Sequence, residues 1–321
     1  MELRRLIAFG KATYSITLPK KWVKENALNK GDLILVQEKS PEKLEISPKF
    51  SEQQELIKEV TIQFKEQSWE ELKRELISAY INDYSIINLT GDLRGKVGQV
   101  RDLLNELIGL EIMEVSNNKI MAKVFSDVTN THVSHIIRRV SLITNTMFDD
   151  LQAVFQNKGT QDPLMHSDLE VNRQTFFATR ILSKAIKSAY FRSSIKMELT
   201  EAVFALKVSD YQEKIGDNLK TMARHLIEAS INKKTNPAHT KAFMAFLERL
   251  ATGYEIAIRA YLGKDKKMAN DVICEEDGIR AELRAYMKAH CLMPVPFVMG
   301  NLSSLSQLIA DLATTVYNSE F

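Results

Sequence analysis

Glu213 and Asp217 stand four residues apart in the stretch YQEKIGDNLKTMARHL, and Gln307 and Asp311 repeat that spacing in LSQLIADLATTVYNSE. Residues i and i+4 of a helix share a face, so each pair can close on one cation. Carboxylate oxygens are hard donors that suit iron, manganese, zinc or magnesium better than an ion seeking thiolates. Ile215, Leu219, Met222 and Leu226 fall on one stripe, and at about 100° per residue Glu213 and Asp217 lie nearly opposite it, facing outward. Asp149 and Glu170, on the two preceding helical stretches, are the further acids that could complete a ligand set for a divalent or trivalent metal. Lys220 and Arg224 follow on the same face, so a solvated strip of charge pairs explains the pattern too.

A second set of spaced charges opens the chain. Arg4, Arg5, Lys11, Lys20, Lys21 and Lys24 succeed one another with no acid between them, and residues 1–50 hold ten Lys and Arg against six Asp and Glu. The whole chain carries only +2. Such a balance does not by itself point to nucleic acid, but a small basic domain on a near-neutral body allows it, the plainer reading of such a face being a solvated one. Enzyme chemistry finds little support: there is no phosphate-cradling glycine loop, no nucleophile elbow, and no His-Glu-x-x-His among the histidines at 132, 135, 166, 225, 239 and 290. The chain is expected to be no enzyme. Cys274 and Cys291 stand far apart with no ligand spacing, and no apolar run approaches a membrane span, so a soluble cytoplasmic protein with reduced thiols is expected.

These residues need elements to position them, and 321 residues are enough for several domains. The first 50 read as two short hairpins around one turn of helix: apolar residues through Phe9, a Gly10-Lys11 turn, Tyr14 to Leu18, a helix from Lys20 to Asn26 behind Pro19, then strands at Leu33–Val36 and Lys43–Ile46. Such a unit is too small to bury a core alone, and a second copy is the simplest partner. Residues 51–125 alternate strand and helix, a small α/β connector closing on a hairpin at Asn117-Asn118. From 126 to 321 long amphipathic helices follow, at 127–157, 162–190, 194–232, 239–262, 265–291 and 295–319, with short polar breaks. The alignment of 211–226 with 305–320 makes each stretch the third helix of a three-helix unit, at about 126–235 and 236–321.

The stretch GKATYSITLPKKWVKENALNKGDLILV resembles the AbrB/SpoVT/MazE swapped-hairpin domain, through Gly10, Ile16, Leu18-Pro19-Lys20 and Gly31-Asp32 in order. In that family two chains interleave their hairpins and bind DNA through basic residues on one face; carried over, Arg4, Arg5, Lys11, Lys20, Lys21 and Lys24 would meet the duplex. EKIGDN is similar to the acidic motif of the PhoU (phosphate uptake regulator) family, which holds metal on two three-helix repeats. Gln307 stands where that motif expects an acid, and Asn172, in HSDLEVNRQTFFATR, where archaeal members carry an Asp. The resemblances imply a mainly α, multidomain protein: an all-β swapped-hairpin head, an α/β connector and a six-helix PhoU-like body. The function they imply is that of a homodimeric, phosphate-linked transcription regulator. The alternative is an accessory protein acting on phosphate transporter components or a signalling partner, with the head serving only dimerisation.

Overall fold

The computed structural model describes residues 3–9, 13–40, 42–48, 58–65, 67–125, 131–228, 236–292 and 295–319. The chain forms two compact units, 1–57 and 58–321, so the α/β segment and the long helices belong to one unit. The chain is multidomain and mainly helical, with a β-rich N-terminal region.

In the first unit β1 (Ile7–Phe9) pairs antiparallel with β2 (Thr13–Ser15), and β3 (Ile34–Ser40) with β4 (Lys43–Pro48). Between them lies α1 (Lys20–Glu25), whose N-cap is Pro19 in extended conformation. Proline suits that position because the first backbone N–H groups of a helix have no intrahelical acceptor. None of the side chains described in this unit is buried. Ile7, Tyr14, Ile16, Val36 and Leu44 are each at least half exposed.

The second unit begins with a four-stranded sheet of order β5-β6-β8-β7, formed by β5 (Glu59–Gln63), β6 (Ile86–Thr90), β7 (Leu110–Val115) and β8 (Lys119–Val124). β5 and β6 run parallel, joined through α2 (Trp69–Ile81), whereas β8 is antiparallel to both neighbours. α3 (Val97–Glu106) crosses over to β7. Ser68 starts α2 by accepting the Glu71 N–H on its hydroxyl at 3.2 Å, satisfying one of the orphan donors of the first turn. Ile62, Ile87, Leu89, Ile120 and Ala122 alternate along the strands and bury one face under Leu72, Leu76, Val100 and Leu104 of the two helices.

Seven further helices complete this unit among the described residues: α4 (Val133–Phe155), α5 (Asp162–Lys187), the short α6 (Ala189–Ser194), α7 (Leu199–Glu228), α8 (Pro237–Gly263), α9 (Lys266–Ala289) and α10 (Val295–Tyr317). α4, α5 and α7 pack on one another as one triplet, and α8, α9 and α10 as a second. The triplets meet through α7 against α10 and α4 against α8, each contact joining helices of equal rank. Phe148 and Tyr254 pack as tilted rings 5.9 Å apart across the α4–α8 seam, as do Phe155 and Phe243 at 5.8 Å. Gln212, fully buried on α7, donates to Ile137 O at 3.0 Å and to the Tyr254 hydroxyl at 3.1 Å. Lys264 takes a left-handed φ of 55° and Asp265 caps the next helix through Met268 N, so α8 and α9 turn back on each other within two residues.

The α/β layer is clasped to α5 by one buried cation. Arg180, 4 % exposed, donates to Tyr84 O at 3.0 Å, also donates to Tyr80 O, and pairs with Asp83 at 3.0 Å. Three groups at the end of α2 are satisfied by this one guanidinium, whose planar fork of donors suits the task.

Candidate functional site

Ile215, Leu219, Met222 and Leu226 are fully buried on α7, as the stripe in the sequence requires. The acids do not face away from the protein. α7 has neighbours on several sides, and the flank bearing Glu213, Asp217 and Lys220 lies against α5. Lys220 Nζ donates to Asp217 Oδ1 at 2.5 Å and to Asp168 Oδ2 at 2.8 Å. Asp168, on α5 and only 4 % exposed, also accepts from Asn172 Nδ2 at 3.3 Å. Lys220 therefore supplies the positive charge that the acid pair would otherwise draw from a metal. Burial pulls the ammonium down, and the bonds to Asp168 and Asp217 more than reverse it, holding it charged.

Glu213 differs from its neighbours. Burial, with the charges of Asp217 and Asp210 behind it, pushes its carboxyl up to about 7. It lines a groove of about 500 Å³ between the end of α2, α5 and α7, with Ile81, Phe176 and Leu206 as apolar wall and Ser209 and Thr175 as hydroxyls. A larger hollow of about 740 Å³ runs along β5 and α2 and contains none of the candidate acids.

The remaining acids are dispersed. Glu170 pairs with Arg173 at 3.4 Å and Arg139 at 3.7 Å. Asp149 is exposed on α4, where its charge acts on Asp150. Gln307 donates to Asp311 at 2.8 Å on α10, and Asp311 is near enough to α7 to add to the burial that raises the Tyr211 phenol. Among the described residues no three His, Cys, Asp or Glu side chains stand close enough together to hold a metal ion. Asp168, rather than Glu170, is the acid that α5 brings to Asp217. The charge of Lys220 is legible on the strip of α7, but the helix it meets is not.

In the second triplet the buried acid is Glu276 of α9, fully buried, accepting from the Ser306 hydroxyl at 2.7 Å. Its Oε1 has no partner, and a methyl at Gly253 of α8 would fall 2.2 Å from it, so the close approach requires glycine. Burial pushes this carboxyl up to about 7.

Of the basic residues at the start, Arg4, Arg5, Lys20, Lys21 and Lys24 are exposed. Lys21 lies 3.8 Å from Glu25. Lys11 lies outside the described residues. No helix among the described residues is long and apolar enough to cross a membrane. Neither curated proteins nor solved structures match the chain. Residues 7–54 match the model of the family described as antidote-toxin recognition MazE, bacterial antitoxin, so the N-terminal unit is similar to that family over nearly its whole length.

Proposed function

We propose that the protein is a DNA-binding transcription regulator that acts as a homodimer through its first 57 residues. The single observation behind this reading is a β unit in which no described side chain is buried and Ile7, Tyr14, Val36 and Leu44 of the two hairpins are exposed. Isolated two-stranded hairpins are marginal in water, and interleaving with a second copy would give these side chains a core. Domains of the matched type bind DNA and dimerise. A twofold axis would double the exposed Arg4, Arg5, Lys20, Lys21 and Lys24 into one positive surface.

The body, in this proposal, senses phosphate status and transmits it to the head. That part rests on the resemblance of the α7 motif and on the pairing of such a head with two helical triplets. A metal at Glu213 and Asp217 would have to displace Lys220. The matched family favours a second reading, in which the head recognises a protein.

Fluorescence anisotropy of the full chain on DNA from its own upstream region, across salt concentrations, tests the proposal. Binding should weaken steeply with salt, and Arg4→Ala with Arg5→Ala should flatten the log–log slope by about 0.9 for each phosphate that is no longer neutralised. Inorganic phosphate should shift the affinity of the full chain for this DNA. Absence of salt-dependent binding by wild type would favour the protein-recognition reading.

A further inference from the structure

The six histidines show no ligand spacing along the sequence, yet the α8–α9 hairpin brings two of them together. His239 lies in the first turn of α8 and His290 is the C-cap of α9. Their ring centres are 4.9 Å apart with planes at 71°. An ion bound about 2.0–2.1 Å from each imidazole nitrogen lies about 3.2 Å from each ring centre, so two rings at a tetrahedral angle on one ion have centres about 5 Å apart. The observed separation matches this geometry as well as that of an edge-to-face ring pair, and the hydroxyl beside His239 Nδ1 distinguishes this pair from His132 and His135, whose ring centres are 5.2 Å apart.

Tyr286, one turn before His290, supplies the support such a ligand needs. Its hydroxyl lies 2.8 Å from His239 Nδ1. When Nδ1 carries the proton and donates to that oxygen, Nε2 keeps the lone pair that binds metal. Phe243 stacks against His239 at 6.3 Å, and the Tyr286 ring lies 4.5 Å from His290. His290 is exposed, so an ion can reach the pair from solvent.

We propose that His239 and His290 are the two protein ligands of a site for a borderline divalent metal of the zinc, cobalt, nickel or copper class, with water in the remaining positions. Imidazole nitrogen suits these ions, whereas magnesium and calcium require oxygen ligands. The site shares no residue with the acidic flank of α7. Its effect is a clip between the start of α8 and the end of α9, stabilising the second triplet as any ligand of the native state does.

The test uses the full chain with Cys274→Ser, Cys291→Ser and His132→Gln, since both cysteines are exposed and free and the exposed His132–His135 pair, with ring centres 5.2 Å apart, would compete for the same ions. Zinc and nickel titrations by calorimetry at pH 7.5 should show one ion per chain, with a zinc-dependent rise in melting temperature. His239→Gln and His290→Asn should each weaken binding at least tenfold and abolish the rise, whereas Asp217→Asn should leave both unchanged. Magnesium should give neither heat nor shift. Absence of zinc and nickel binding by this parent, or binding that survives both histidine variants, overturns the proposal. Circular dichroism of the histidine variants without metal checks that they fold; His290, being exposed, is the safer of the two.

Discussion

At the scale of single residues, burial explains more of this molecule's chemistry than spacing does. Glu276 shows it: a carboxyl with no exposed surface, one hydroxyl donor and an orphaned second oxygen is held protonated well above the ordinary carboxylate range. Its native value of about 7 lies above the ordinary value of 4.5, so between those values the folded state holds the proton more firmly than the unfolded chain. Stability must then fall as pH rises from about 4.5 towards 7, and the loss is complete above that. The shift corresponds to about 3 kcal/mol at most. Glu276→Gln keeps an acceptor for Ser306 and carries no charge. In urea unfolding at pH 5 and pH 8, wild type should lose more stability over this interval than the variant; equal losses would show that Glu276 does not carry the effect. Glu213, half-buried and also raised to about 7, contributes a smaller share that remains in the variant.

At the scale of elements, the two hairpins of the head and the helices of the body solve the same problem differently. A helix of the body buries its stripe against two or more neighbours within the chain, as α7 does against α4, α5 and α10. β1 to β4 leave Ile7, Tyr14, Val36 and Leu44 exposed. A fragment of residues 1–57, one compact unit, should therefore be folded only as a dimer, with a melting temperature that rises with protein concentration. Sedimentation finding a folded monomer at micromolar concentration would count against interleaving. The element boundaries explain why the fragment must include β4 entire: Pro48 pairs with Ile34 at the end of the second hairpin.

At the scale of the whole molecule, the division falls after residue 57, and within the second unit Arg180 ties the α/β layer to the helices. Residues 58–321 should unfold in a single transition followed alike by fluorescence and by circular dichroism. Arg180→Ala would leave Asp83 and two backbone carbonyls without their main partner and should cost about 3 kcal/mol. Two transitions in the wild-type 58–321 fragment would show that the α/β layer is an independent domain. DNA affinity should be unaffected by this substitution if the head acts through its own surface.

Sequence alone determined most of the elements, because those rest on local rules; the short α6 falls where the sequence pattern gives only a break between two long helices. Pro19 and Gly31-Asp32 punctuate the head, the alternation of strand with helix marks the α/β segment, and the apolar stripe of α7 is visible from Ile215 to Leu226. It also marked the head as incomplete, since two short hairpins cannot enclose a core. Only the tertiary structure decided which face of a helix meets which neighbour. Helical periodicity orients Glu213 and Asp217 relative to their own stripe, but not relative to α5, whose Asp168 takes the other side of Lys220. For the same reason His239 and His290, far apart in sequence, meet only when α8 turns back through the left-handed Lys264 and α9 returns along it. Contacts between elements depend on packing angles and loop geometry, which no residue spacing records.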